Sequence, residues 1–131
     1  MTIRTDNLGL GGELGPSLQM PLSAAQLGLN AQVPASGQLQ SSVLLTNGWK
    51  YFALSLKSTQ AGQISIQRFL DTAGTVPIGA AVTAALTANT QQWASIGTAD
   101  SLPFMSYQVT VSNSGGAAAT LSVVAGLLQA N

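Results

Sequence analysis

The sequence predicts an all-β fold: a single antiparallel β-sandwich of about eight strands behind an extended N-terminal arm. Three observations predict it. From Gln38 onward, short runs of alternating apolar and polar residues are broken by turn residues at intervals of about ten, the spacing of a sandwich or barrel. A length of 131 residues suits one hydrophobic core and leaves no room for a second full domain. With no cysteine, and 6% charged against 46% hydrophobic residues, the fold must rest on apolar packing.

The arm is assigned to residues 1–22 and the sandwich to residues 23–131. Gly9, Gly11, Gly12, Gly15, Pro16 and Pro21 argue against a regular element in the arm. Leu8, Leu10, Leu14, Leu18, Met20 and Leu22 recur among them, unlike a polar linker, and such an arm needs a surface to lie on. Ser23 and Gln26 have capping-box spacing for a short helix. Against that, Leu27, Leu29, Ala31 and Val33 alternate with Gly28, Asn30 and Gln32 up to Pro34, and a strand over 27–33 is the preferred expectation.

Leu39, Val43 and Leu45 open the regular series, and Asn47-Gly48 offers the positive φ values of a tight hairpin. Phe52, Leu54 and Leu56 line one face of the next strand, and Tyr51, Ser55 and Lys57 the other. After the turn at 59–62, residues 63–70 alternate again, and Asp71-Thr72-Ala73-Gly74 closes that strand. The alanines of 80–86 suit a helix, but Val82, Thr83 and Thr87 favour the strand expected there. Strands follow at 93–96, at 106–112 with Tyr107, Val109 and Val111 inward, and at 120–128 beyond a hairpin turn at 113–116.

The composition narrows function more by exclusion than by motif. An ordinary domain is roughly 25% charged, so a chain this poor in charge reads as a component of an assembly rather than a solitary monomer. Formal net charge is zero, from four basic and four acidic residues, which cannot build the phosphate-neutralising footprint of a nucleic-acid binder. There is no histidine, and the carboxylates are Asp6, Glu13, Asp71 and Asp100, none in a paired or nucleophile-activating pattern, so the expectation is not an enzyme and no cofactor. A calcium site wants clustered carboxylates; the loop at Asp71 with Thr72 and Thr75 offers a few oxygens, and no metal ligands are assigned. Arg68 and Asp71 are close enough along the chain for an ion pair. Residues 1–7 lack the apolar run of a signal peptide and no segment is apolar enough for a membrane span, so synthesis in a cytosol, away from membranes, is expected.

Trp49, Trp93, Tyr51 and Tyr107 suit either the core and subunit contacts, the favoured reading, or a sugar-stacking platform. Trp49, beside the Asn47-Gly48 turn, is expected to be exposed. The strands beyond Asp71 hold no charge with which to guard a sheet edge, so edges and one sheet face are expected to be covered by sister subunits or a lattice.

The succession Gly48-Trp49-Lys50-Tyr51-Phe52-Ala53-Leu54, then residues 60–69 with Asp71, then Tyr107-Gln108-Val109-Thr110-Val111-Ser112-Asn113 resembles the small jelly-roll-like β-sandwich modules of tailed-bacteriophage virions. These occur in head decoration proteins, head fibres and tail-tip adhesins, and the resemblance covers about Leu27 to Leu128. It implies a structural protein at the capsid surface of a virion, made in the host cytoplasm. The partner would be the major capsid protein or another virion protein, and a homo-oligomer, with a trimer favoured, is implied. The function expected is that of a decoration or cement protein docking through Ile3, Leu8, Leu10, Leu14, Leu18 and Met20. The alternative is a receptor- or glycan-binding module of a head fibre or tail tip, with loops at Trp49, Asp71 and Asp100 as contacts.

Overall fold

The computed structural model describes residues 18–97 and 103–130. Nine strands and one short helix follow in the order β1 (Gln19–Ser23), α1 (Ala24–Leu27), β2 (Gln38–Gln40), β3 (Leu44–Leu45), β4 (Tyr51–Ser58), β5 (Gly62–Phe69), β6 (Pro77–Leu86), β7 (Gln91–Ile96), β8 (Ser106–Asn113) and β9 (Leu121–Gln129). Sheet I has the order β1-β9-β4-β7. Sheet II has the order β2-β8-β5-β6, with β3 also on β8. All pairings are antiparallel. With β2 and β3 taken as one interrupted edge strand, this is the eight-stranded jelly roll.

From β3 onward the chain changes sheet at every connection except the β5–β6 hairpin. The turn at Asn47-Gly48 has the positive φ values expected, 47° and 85°, yet it carries the chain from sheet II to sheet I instead of closing a hairpin. The same holds for the turn after Asn113. A local turn signal states that the chain reverses, and long-range pairing decides which sheet receives it.

The inward positions are those the alternation names. Phe52, Leu54 and Leu56 of β4 face Ile64 and Ile66 of β5 and Tyr107, Val109 and Val111 of β8, all buried. The Phe52 and Tyr107 rings lie 4.6 Å apart across the core. Close packing makes each of these side chains worth a few kcal/mol against truncation.

Two expectations near the N-terminus are corrected. Residues 19–22, assigned to the arm, belong to the sandwich: β1 pairs with β9 along its whole length, from Gln19–Gln129 to Ser23–Ala125. The strand expected over 27–33 is replaced by the competing reading, a one-turn helix. Ser23 Oγ accepts from Gln26 N and Gln26 Oε1 accepts from Ser23 N, a complete capping box. Gly28 then ends the turn in the left-handed region, φ 72°, donating back to Ala25 O. Leu27, Leu29 and Val33 are buried all the same, plugging one end of the sandwich, and Val33 bridges Ala119.

The loops segregate. One end gathers residues 24–37, 59–61, 87–90 and 114–120, and Asn113 ties the first of these segments to the last. Its Nδ2 donates to the carbonyls of Val33, Pro34 and Ala117, and its Oδ1 accepts from Gly115 N. None of these loop segments holds a charged residue. The opposite end gathers 46–50, 70–76 and 103–105, where Met105 N donates to Phe69 O and Thr46 N to Met105 O. Lys50 and Asp71 stand there.

Candidate interaction surface

The outward side of sheet II is uncharged, polar over β2, β8 and β5 and alanine-rich on β6. Gln38 and Gln40 of β2, Gln108, Thr110 and Ser112 of β8, and Gln63, Ser65 and Gln67 of β5 alternate with the core residues. Three of these amides are engaged locally. Gln40 Nε2 donates to Thr110 Oγ1, Gln108 Nε2 to Ser41 O, and Gln67 Nε2 to the carbonyls of Arg68 and Gly79. Ser41 closes the gap between β2 and β3, its Oγ accepting from the buried Val109 N at 3.0 Å.

The outward side of sheet I is different. In register across its four strands lie Pro21, Leu127, Ala53 and Ser95, and in the next row Ser23, Ala125, Ser55 and Trp93. Trp93 is 68% exposed, and Val123 beyond it 67%. The small residues between these larger ones leave two adjoining depressions. One, of about 410 Å³, is lined by Tyr51, Ala53, Ser95 and Leu127; the other, of about 270 Å³, by Ala53, Trp93, Ala125 and Leu127. From Val123 to Leu128 strand β9 is apolar on both sides, Val124 and Leu128 inward and Val123, Ala125 and Leu127 outward, unlike the alternation of a strand with one solvated face. Lysines stand at the two ends of β4, Lys50 exposed just before it and Lys57 on the outward side. Among the described residues these strands carry no acid.

Val123 adds a backbone oddity to this face. Register shifts between Ser55 and Lys57 where β9 bulges, and Val123 sits in the bulge at φ 49°. A β-branched residue in the left-handed region is a true outlier.

The sequence-derived site residues are scattered. Ile3, Leu8, Leu10, Leu14 and Asp100 lie outside the described residues. Leu18 is exposed beside β1, its carbonyl accepting from Ala130 N. Met20 is no arm residue: it sits on β1 opposite Leu128 and borders a depression with Leu22, Leu44 and Trp49. Trp49, expected to be exposed, is half-buried against the core, and Trp93 is the exposed indole. Tyr107 is wholly buried, and burial pushes its phenol up to about 12, so it joins no sugar platform.

Asp71 serves its own turn. Its carboxylate accepts from Thr75 N at 2.9 Å, Val76 N at 3.0 Å and the Thr75 hydroxyl. The Thr75 hydroxyl first, then the amide of Val76, hold its pKa below the usual value. The expected ion pair with Arg68 is replaced by this arrangement. Arg68 instead points inward after Ile64 and Ile66, 2% exposed, its guanidinium carbon 6.0 Å from the centre of the Phe104 ring.

The surface residues that sequence reasoning passed over are Ala53, Ala125, Leu127 and Val123. The signal was present in β9, whose two parities are equally apolar. Among the described residues no three His, Cys, Asp or Glu gather to hold a metal ion, and no helix is long and apolar enough to cross a membrane. The chain matches no protein-family model and no curated protein.

Proposed function

We propose that the protein is a structural subunit of a larger assembly, in its specific form a decoration protein that docks on a tailed-bacteriophage head and stabilises it. The observation that carries this reading is sheet I: its strand β9 is apolar on both sides, Trp93 and Val123 are exposed beside it, and the leucine-bearing N-terminal segment joins the fold at its edge. An apolar face of this kind on a chain so poor in charge marks an interaction site. The virion setting is supported by the sequence resemblance and by the jelly roll, a fold that hosts capsid domains among many others. A subunit that binds only the assembled shell shifts the assembly equilibrium toward that shell by mass action.

Titrating the full-length protein onto undecorated heads of the encoding phage, followed by sedimentation, tests this. Saturable binding at a stoichiometry set by the lattice, with shells harder to disrupt, is expected; no binding overturns the proposal. Removing residues 1–17 leaves β1 intact and is expected to abolish the affinity. Sedimentation of the free protein checks the homotrimer.

A second reading, glycan binding by a fibre or tail-tip module, is favoured by one feature, the exposed Trp93 indole beside a depression. Saturable binding on a glycan array, lost in Trp93→Ala, would support it over the first.

A further inference from the structure

An open sheet edge offers its backbone groups to another strand, and soluble β proteins close such edges with prolines, bulges, charges or brevity. Three of the four edges here are closed. On β1, Pro21 stands at a position whose backbone faces away from β9, and Ser23 N is taken by Gln26 Oε1. Strands β2 and β3 are three and two residues long. Strand β6 opens on Pro77 and bulges against β5 between Ile78 and Val82, where the Gly79 carbonyl accepts from Gln67 Nε2. Strand β7 has none of these devices: its six residues run in unbroken register with β4, without proline or charge.

Strand parity shows what that edge offers. Ala130 N donates to Leu18 O, so Leu128 and Gly126 of β9 bond to β1 and the residues between them to β4. Carried across the register, Phe52, Leu54 and Leu56 of β4 bond to Ile96, Ala94 and Gln92. Gln91, Trp93 and Ser95 therefore turn their N–H and C=O groups to the open edge, and among the described residues β7 pairs with β4 alone. The Gln91 side chain lies back over the sheet, its Nε2 donating to Ser55 Oγ and Val123 O, and leaves that edge uncovered. Trp93, the middle residue of the three, is 68% exposed.

This arrangement is symmetric about Trp93, which fits it to a second copy of the same strand. An antiparallel pair on a two-fold axis through Trp93 sets Gln91 against Ser95 of the second copy, Ser95 against its Gln91, and the two indoles side by side. Every outward backbone group then has a ladder partner, and an aromatic cross-strand pair adds to the contact. No like charges meet: Lys57, in register with Gln91, falls in line with Ser95 and Ala53 of the second copy. Self-complementary two-fold contacts are the commonest in homo-oligomers.

We propose that β7 is a contact between copies of this chain: two β7 strands pair antiparallel about Trp93 and join two four-stranded sheets into one continuous sheet. The axis links single subunits or trimers alike, and it needs no phage head. The indole it buries is withdrawn from sugars, so this contact and the glycan reading exclude each other.

The full-length protein is followed by sedimentation equilibrium up to about 1 mM, since a ladder of so few bonds pairs weakly. The expected result is a mass that doubles with concentration. Ser95→Pro removes an outward N–H, spares the bonds to β4, and is expected to hold the mass at half the parent's; Thr83→Pro on the β6 edge is expected to change nothing. Trp93→Lys and Trp93→Glu set like charges on the axis. Each is expected to hold the half mass, and an equimolar mixture of the two to recover the doubled one. Urea unfolding of each variant confirms that it is folded. A parent that never doubles overturns the proposal and leaves the edge to a strand of another protein. Equal loss in Ser95→Pro and Thr83→Pro overturns the choice of β7, and a mixture that stays at half mass overturns the axis at Trp93. Head binding is measured on separate samples, so docking and this contact can fail independently.

Discussion

The two sheets share one core and turn opposite outer faces to their surroundings. On β2, β5 and β8, sheet II presents glutamine, serine and threonine, and the Gln40, Gln67 and Gln108 amides bind neighbouring carbonyls and hydroxyls. Sheet I presents Ala53, Ala125, Leu127, Val123 and an exposed tryptophan between two lysines. Each sheet also accommodates an irregularity differently. Where β6 shifts register against β5, Gly79 takes the positive φ; where β9 shifts against β4, Val123 does. The inner faces serve folding, and the contrast between the outer ones lies in the exposed Trp93 and Val123 and the apolar β9 of sheet I.

If this contrast is confined to the outside, the inner faces should respond alike. Leu54→Ala in sheet I and Ile64→Ala in sheet II each remove a fully buried side chain, and each is expected to cost about 2–5 kcal/mol in urea unfolding. A much smaller loss in one sheet would mean that the core is not shared equally.

The outer faces should then separate. Ser65→Asp on sheet II is expected to stay within about 0.5 kcal/mol of the parent stability and leave binding unchanged. Ala53→Asp puts a charge where the proposed docking role calls for an apolar contact. It should weaken head binding by about tenfold or more, roughly 1.4 kcal/mol or above, while the isolated domain unfolds near its usual midpoint. Equal effects at both positions would erase the distinction between the faces.

Much of sheet II could be read from the sequence because β5 and β8 follow apolar-in, polar-out alternation without exception from Gln63 to Gln67 and from Tyr107 to Ser112. Sheet I was harder because β9 is apolar on both sides, so its parity names no outside. The one-turn helix was written in Ser23, Gln26 and Gly28. It lost to an alternation in 27–33 that reports burial against the sandwich end and not strand pairing. The exposures of Trp49 and Trp93 depend on contacts between distant strands, which no local pattern encodes. Arg68 likewise gave no signal of burial, since its alternation with Ile66 reads equally well as a strand end.

The strain at Val123 offers a test with the opposite sign. Asparagine tolerates the left-handed region far better than a β-branched residue, so Val123→Asn should stabilise the domain by about 1 kcal/mol, seen as a higher urea midpoint with an unchanged slope. The matching change in sheet II, Gly79→Val, should destabilise. A loss at both sites would show that Val123 contributes more by contact than it costs in backbone geometry.

The smallest effect concerns the two ends of the sandwich, one with charge-free loops and one carrying Asp71. Because the Thr75 hydroxyl and the Val76 amide stabilise its carboxylate, the folded pKa lies below the unfolded one. The unfolded chain therefore binds the proton first as pH falls. The contribution is present above about pH 4, the ordinary aspartate range, and is lost as pH drops through the lowered folded value. Asp71→Asn keeps the shape of the turn without the charge. It should lower the melting temperature slightly at pH 7 and flatten its decline at acid pH, so that the two melting curves converge at the acid limit. Parallel curves over the whole range would place the acid sensitivity elsewhere, because Asp71 is the one acid among the described residues of that end.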